Sequence, residues 1–138
     1  MPFRIELTVT LAPTLADALR AAAKAAYPNE CCGLLEGVRD GDAFQVHALH
    51  PARNRAPRSD RFEIDAADHI AAQKAARANG RTIIGCYHSH PDGAATPSAT
   101  DQAGAAQDDF LWVIVADDAL GCFVYRDGVF RGCVTGAD

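Results

Sequence analysis

Apolar and polar residues alternate along Phe3-Arg4-Ile5-Glu6-Leu7-Thr8-Val9, the period of a half-buried strand. The period then lengthens. Leu15, Ala18, Leu19, Ala22 and Ala26 share one helical face, Thr14 reads as the cap, and Pro28 and Asn29 end the helix. The run from Cys31 to Val38 is too short and glycine-rich for a helix and predicts a buried strand with Glu30 at its entrance. Arg39-Asp40-Gly41-Asp42 carries hairpin-turn chemistry, and Ala43 to Leu49 alternates as the returning strand. His47 and His50, three apart, would face opposite sides there and read as structural.

From Pro51 to Arg61 the apolar residues nearly vanish. Arg53, Arg55, Arg58 and Arg61 make this a surface loop with a local positive patch, either a solvated face or a dock for an acidic partner or a carboxylate terminus. Phe62-Glu63-Ile64 predicts a short strand, and Asp65 caps a helix from Ala66 to Asn79 that Gly80 terminates. A strand from Arg81 to Tyr87 follows, then a helix opened by Ser98 and kept short or bent by Gly104. Phe110 to Ala116 and Gly121 to Arg126 read as central strands, and Asp127-Gly128 as a tight turn into Val129 to Val134. The pattern predicts an α/β single domain spanning residues 1–138, a mixed sheet with about three flanking helices.

At 138 residues such a chain buries its core without metal or disulfide staples, so a metal here would be catalytic rather than structural. Asp+Glu number 18 against Lys+Arg 13, a net charge of -5, which argues against nucleic acid as a partner. No signal peptide and no apolar run of membrane-spanning length is visible, and a cytoplasmic location is expected. The five cysteines, Cys31, Cys32, Cys86, Cys122 and Cys133, contain no Cys-x-x-Cys pair and read as reduced, mostly buried thiols.

Candidate chemistry concentrates at the end of the Arg81 to Tyr87 strand. Continued to His90, its alternation points His88 and His90 to one side and Ser89 to the other, and Pro91 stops the ladder. Ser98 and Asp101 open a helix, so Asp101 lies in its first turn. Two imidazoles and one carboxylate form a facial set suited to a divalent metal with an open position, and zinc fits best. The plainer alternatives are that Asp101 only completes a capping box and that the histidines are surface residues. A cysteine hydrolase built on Cys86 or Cys32 would leave Ser98 and Asp101 unexplained.

The spacing of these residues resembles the signature of the JAMM (MPN+) zinc metalloprotease family: an upstream glutamate, then His-Ser/Thr-His-Pro, six residues, Ser, two residues, Asp. Glu30, His88-Ser89-His90-Pro91, Ser98 and Asp101 match it without departure. Asn29 to Gly37 is also similar to the glutamate-bearing segment of compact prokaryotic members. The resemblance implies an MPN/JAMM-like fold, layered like the cytidine deaminases. It further implies Zn2+ held by His88, His90 and Asp101 with water in the fourth position, Glu30 as general base and Ser98 as oxyanion donor. For Ser98, helix capping competes with that role. Glu36 is the rival of Glu30, facing the same side by strand alternation, and Glu63 is a weaker candidate.

Members hydrolyse an amide, often an isopeptide bond, at the C-terminal tail of a ubiquitin-like protein. At 138 residues there is little room for the insertions of the eukaryotic deubiquitinating members. The resemblance is therefore to compact peptidases that process sulfur-carrier proteins, with the carrier tail held by strand addition at the His88/His90 edge of the sheet. The alternative is a catalytically silent MPN-type scaffold that binds a partner.

Overall fold

The computed structural model describes residues 6–56 and 60–136, which form eight strands and three helices. In chain order these are β1 (Thr8–Thr10), α1 (Pro13–Ala26), β2 (Cys32–Asp40), β3 (Ala43–Ala52), α2 (Ala66–Ala78), β4 (Thr82–Ser89), α3 (Ala99–Gly104), β5 (Phe110–Ala116), β6 (Ala119–Arg126), β7 (Val129–Gly132) and β8 (Val134–Gly136). One mixed sheet runs β7-β6-β5-β4-β2-β3-β1-β8, so the α/β class with three helices is the class observed. At its centre β4 is parallel to β5 and antiparallel to β2. β7 and β8 lie at opposite ends of that order, yet only Cys133 separates them in the chain. Cys133 N–H donates to Cys122 O and Val134 N–H to Leu7 O, both at 2.9 Å. The sheet therefore curls until its two ends meet.

Strand alternation sorts the side chains onto two faces. Leu35, Tyr87, Leu111, Val113 and Val115 pack with Leu19 of α1. Leu34, Cys86, Phe110 and Trp112 pack with Ala72 of α2 on the other face, to which His88 also belongs, two residues after Cys86. No helix among the described residues is long and apolar enough to cross a membrane.

Several local expectations need correction. Thr14 does not cap α1. Pro13 opens the helix behind Ala12, which makes no side-chain bond, because a proline at the first position has its φ already set and no N–H to satisfy. Asp65 does cap α2, accepting from Asp68 N–H at 3.1 Å, and Gly80 follows with φ 72°. The short strand at Phe62–Ile64 reduces to one bridge between Asn54 and Ile64. Of the strand expected over Phe3 to Val9, residues 3–5 lie outside the described residues, and pairing is confined to Thr8–Thr10. β4 lies between β2 and β5, so the sheet has no edge beside His88 at which a tail could add as a strand.

The arginine loop is less positive than its sequence suggests. Arg53 pairs with Asp65 at 3.0 Å and Asp68 at 3.1 Å, and Arg55 with Asp65 at 3.4 Å. The start of α2 thus neutralises part of the patch, a cross-element pairing that charge counted along the chain cannot reveal. Arg58 lies outside the described residues.

Glu36 shares the face of His88, as alternation predicts, but stands opposite Ile83 near the start of β4. Its fully buried carboxylate accepts from His50 at 2.8 Å, Arg81 at 3.0 Å and Asn79 at 3.2 Å, tying together β3, β4 and the end of α2. Burial raises its pKa, but these three donors outweigh burial and hold it below the ordinary 4.5. A carboxyl depressed on folding contributes stability above its unfolded pKa and loses it as pH falls through the folded value. Glu36→Ala strands the donors and is expected to cost about 3 kcal/mol in urea unfolding at pH 7. That gap should narrow below pH 4.5, as the wild-type carboxylate protonates.

Candidate active site

Antiparallel pairing sets Cys32 opposite His88. Continuing that register by two residues brings Glu30 beside His90, although sixty positions separate them in the chain. Ser89 fastens the junction: Cys31 N–H donates to its Oγ at 2.8 Å, and Ser89 N–H donates to Cys31 O at 3.2 Å. His90 lies just past β4 and keeps to the sheet through its N–H on Val115 O at 2.8 Å.

Asp101 reaches the same point from α3. Its Oδ1 and Oδ2 lie 3.0 and 3.1 Å from His88 Nε2, and Oδ2 lies 3.0 Å from His90 Nε2. The two Nε2 atoms are 3.0 Å apart. His90 Nδ1–H donates to Ala94 O at 2.8 Å, which leaves a lone pair on its Nε2. Two imidazole nitrogens and a carboxylate so converge, a set that calls for a cation. Donors 2.0–2.1 Å from a tetrahedral zinc lie roughly 3.3 Å from one another, so these residues fit that ion.

Glu30 stands next to this set. One side-chain atom each of Glu30, His88 and His90 lie within 4.8 Å of one another. Glu30 is 4% exposed and its Oε1 has no hydrogen-bond partner among the described residues. Burial pushes its carboxyl up to about 7, with His90 pulling the other way. Burial depresses the pKa of His88, and the nearby Asp101 only partly offsets this. For Asp101 burial acts upward, but the contacts with His88 and His90 prevail and hold it well below the usual carboxylate range.

Ser98 forms a capping box with Asp101. Asp101 N–H donates to Ser98 Oγ and Ser98 N–H to Asp101 Oδ2, both at 3.0 Å. The cap uses the serine oxygen as acceptor only, so the hydroxyl proton remains available to a second partner. Glu30, His90 and Ser98 line one open cleft of about 400 Å³, with Asp60 and Asp92 at its sides. A larger hollow of about 550 Å³ lies against His90 and Pro91, walled by Lys24 of α1 and by Tyr27 just past its end.

Four of the sequence candidates take no part in this convergence. Glu36 is committed to its own cluster, and Glu63 lines a hollow against Ile64 and Phe110. Burial pushes the Cys32 thiol up to about 12 and Cys86 higher still, which disarms both as nucleophiles. Conversely, sequence reasoning missed Phe62. Its ring stacks on His88, centroids 4.3 Å apart at 20°, and Trp112 meets both rings edge-on. His88 Nδ1 is buried without a protein partner, so aromatic packing rather than a hydrogen bond holds that side of the ring. The available signal was a lone large apolar residue closing a polar stretch. Gly121 was also missed: a Cβ there would fall 1.9 Å from Ala95 O, so its bareness lets the loop that supplies Ala94 O lie on the sheet.

Comparison with known proteins gives consistent matches. The family described as prokaryotic homologues of the JAB domain matches residues 13–126. Desampylase of Haloferax volcanii is 33% identical over 117 residues, covering 83% of this chain and 82% of its own length. CysO-cysteine peptidase of Mycobacterium tuberculosis is 28% identical over 102 residues, 74% of this chain and 68% of its own length. The solution structure of protein DSY2949 from Desulfitobacterium hafniense superposes with a TM-score of 0.82 at 29% identity, covering 94% of each chain. AF2198, a JAB1/MPN domain protein from Archaeoglobus fulgidus, shares the fold with a TM-score of 0.55 at 20% identity, covering 96% of this chain and 99% of its own.

Proposed function

Because this chain belongs to the family of prokaryotic JAB-domain homologues, we propose that it is a zinc-dependent peptidase or isopeptidase that cuts an amide bond at the C-terminal tail of a ubiquitin-like or sulfur-carrier protein. The observation that carries the reading is the meeting of His88 Nε2, His90 Nε2 and the Asp101 carboxylate within 3.1 Å, beside the unpartnered Oε1 of Glu30. Relatives named desampylase and CysO-cysteine peptidase support the substrate class.

In this reading His88, His90 and Asp101 hold the ion. Zinc, when bound, supplies a Lewis acid for the scissile carbonyl and makes water a better nucleophile at neutral pH. Glu30 accepts the proton of the attacking water and returns it to the leaving nitrogen, a role suited to a carboxyl held near neutrality. Ser98, its oxygen fixed by the cap, turns its hydroxyl proton toward the oxygen that gains charge. Phe62 and Trp112 keep the His88 ring in place and dry. The tail crosses the ends of β4 and β5 at the cleft of Glu30, His90 and Ser98, since β4 offers no free edge.

The test is direct. Zinc-loaded protein is incubated with a ubiquitin-like carrier extended at its C-terminus, and with the same carrier joined to a lysine side chain, and the masses are read. Loss of the extension or of the lysine partner, abolished by a chelator and restored by zinc, is the expected result. Carriers left intact by fully loaded protein, but bound by it with and without chelator, would instead establish the scaffold reading.

A further inference from the structure

Asn54 lies in a stretch that composition marks as a charged surface loop, yet both ends of its side-chain amide are engaged. Its Nδ2–H donates to Glu30 O at 3.0 Å, while its Oδ1 accepts from Ala56 N–H at 3.0 Å and Glu63 N–H at 2.9 Å. The first bond holds the backbone of the residue that carries the buried carboxylate. The other two close the turn that delivers Phe62 onto His88. Among the described residues the Glu30 Oε1 has no hydrogen-bond partner, so its position depends on how the backbone is held. Ser89 secures the peptide on one side, through Cys31 N–H, and Asn54 secures the carbonyl on the other.

We propose that Asn54 is a positioning residue of the peptidase: a single amide sets Glu30 against His88 by tying the Glu30 carbonyl to the loop that bears Phe62. The inference rests on the peptidase function proposed above. An amide suits the task because it donates in one direction and accepts in the other. A carboxylate of the same shape keeps only the accepting half. The neck of the loop does not depend on this side chain, since Arg55 N–H donates to Glu63 O at 2.7 Å and Asp65 N–H to Arg53 O at 3.0 Å.

That asymmetry supplies the experiment, with Asn54→Asp and Asn54→Ala compared in zinc-free and zinc-loaded protein. Asn54→Asp keeps both bonds accepted by Oδ1 and sets an anionic oxygen against Glu30 O. Loaded Asn54→Asp should lose about 100-fold in kcat, the effect of a misplaced catalytic group. Its KM should move by less than about threefold, because uniform binding is untouched. Without zinc, amide exchange at Ala56 and Glu63 should stay protected in Asn54→Asp and open in Asn54→Ala. The fluorescence of Trp112, the one tryptophan, should shift only in Asn54→Ala. Wild-type kcat in Asn54→Asp would overturn the proposal, as would two variants with the same exchange, fluorescence and kinetics. Glu30→Gln separates the two levels. If it cleaves the carrier as well as wild type does, the peptidase mechanism itself fails. If Glu30→Gln is silent and Asn54→Asp turns over at the wild-type rate, only the role of Asn54 fails.

Discussion

Glu30→Gln is expected to lower turnover about 10³-fold while zinc content, measured on the same sample, is unchanged. The substitution preserves volume and leaves the three closest donor atoms alone. What it removes is a carboxyl that burial holds at about 7, a value from which a group can both take and return a proton near neutral pH. Glutamine can do neither. Stability should not suffer, because the wild type buries an oxygen with no protein partner. Thermal unfolding of zinc-free Glu30→Gln at or above the wild-type midpoint, together with lost turnover, is the full expected result. A rate near that of wild type would remove Glu30 from the mechanism.

Asp101→Ala should lower zinc affinity by more than about 100-fold, since residues that only support metal ligands already cost 10- to 100-fold when removed. Activity should go with it. Among the described residues Asp101 is the one carboxylate in contact with both Nε2 atoms, and the same side chain accepts from Ser98 N–H at the start of α3. Its loss withdraws the negative charge between the two rings and loosens the helix start at once. Asp101→Asn separates the effects, because an amide oxygen can still accept from Ser98 N–H but carries no charge. Competition with a chromogenic chelator reads the affinity, and circular dichroism checks the fold. Wild-type affinity in Asp101→Ala would shift the third ligand to Glu30, which also offers an atom within 4.8 Å of both histidines.

What the sequence disclosed divides by the range of the interaction. Local devices were legible. Asp65 and Gly80 bound α2, and Asp127-Gly128 turns β6 into β7 with φ of 54° and 77°. Alternation continued past β4 pointed His88 and His90 to one side, where their Nε2 atoms lie 3.0 Å apart, and the capping spacing of Ser98 and Asp101 is the spacing observed. The meeting of Glu30 with His90 was legible only through the spacing of the whole motif, because the register of β2 on β4 is a long-range fact. Partners chosen in three dimensions stayed hidden. Nothing local tells Arg53 that it will face Asp68, nor Phe62 that it will cover an imidazole, nor Asn54 that it will reach Glu30. Thr14 failed for another reason: a favourable cap lost to a stronger neighbour, Pro13. The sheet edge expected beside His88 disappeared because strand order is set by pairing across the whole chain.

The curling of the sheet also governs when the molecule can be finished. Thr8 pairs with Val134 and Thr10 with Gly136, so the earliest of the described strands is completed by the last of them. Contacts so distant along the chain are reached slowly, because the entropy of closing the intervening loop is lost before the contact is gained. A nascent chain can form its helices and the β2–β3 hairpin as they emerge. It cannot seal β1 against β8 until synthesis has passed Gly136, so the closing step of folding waits for β8.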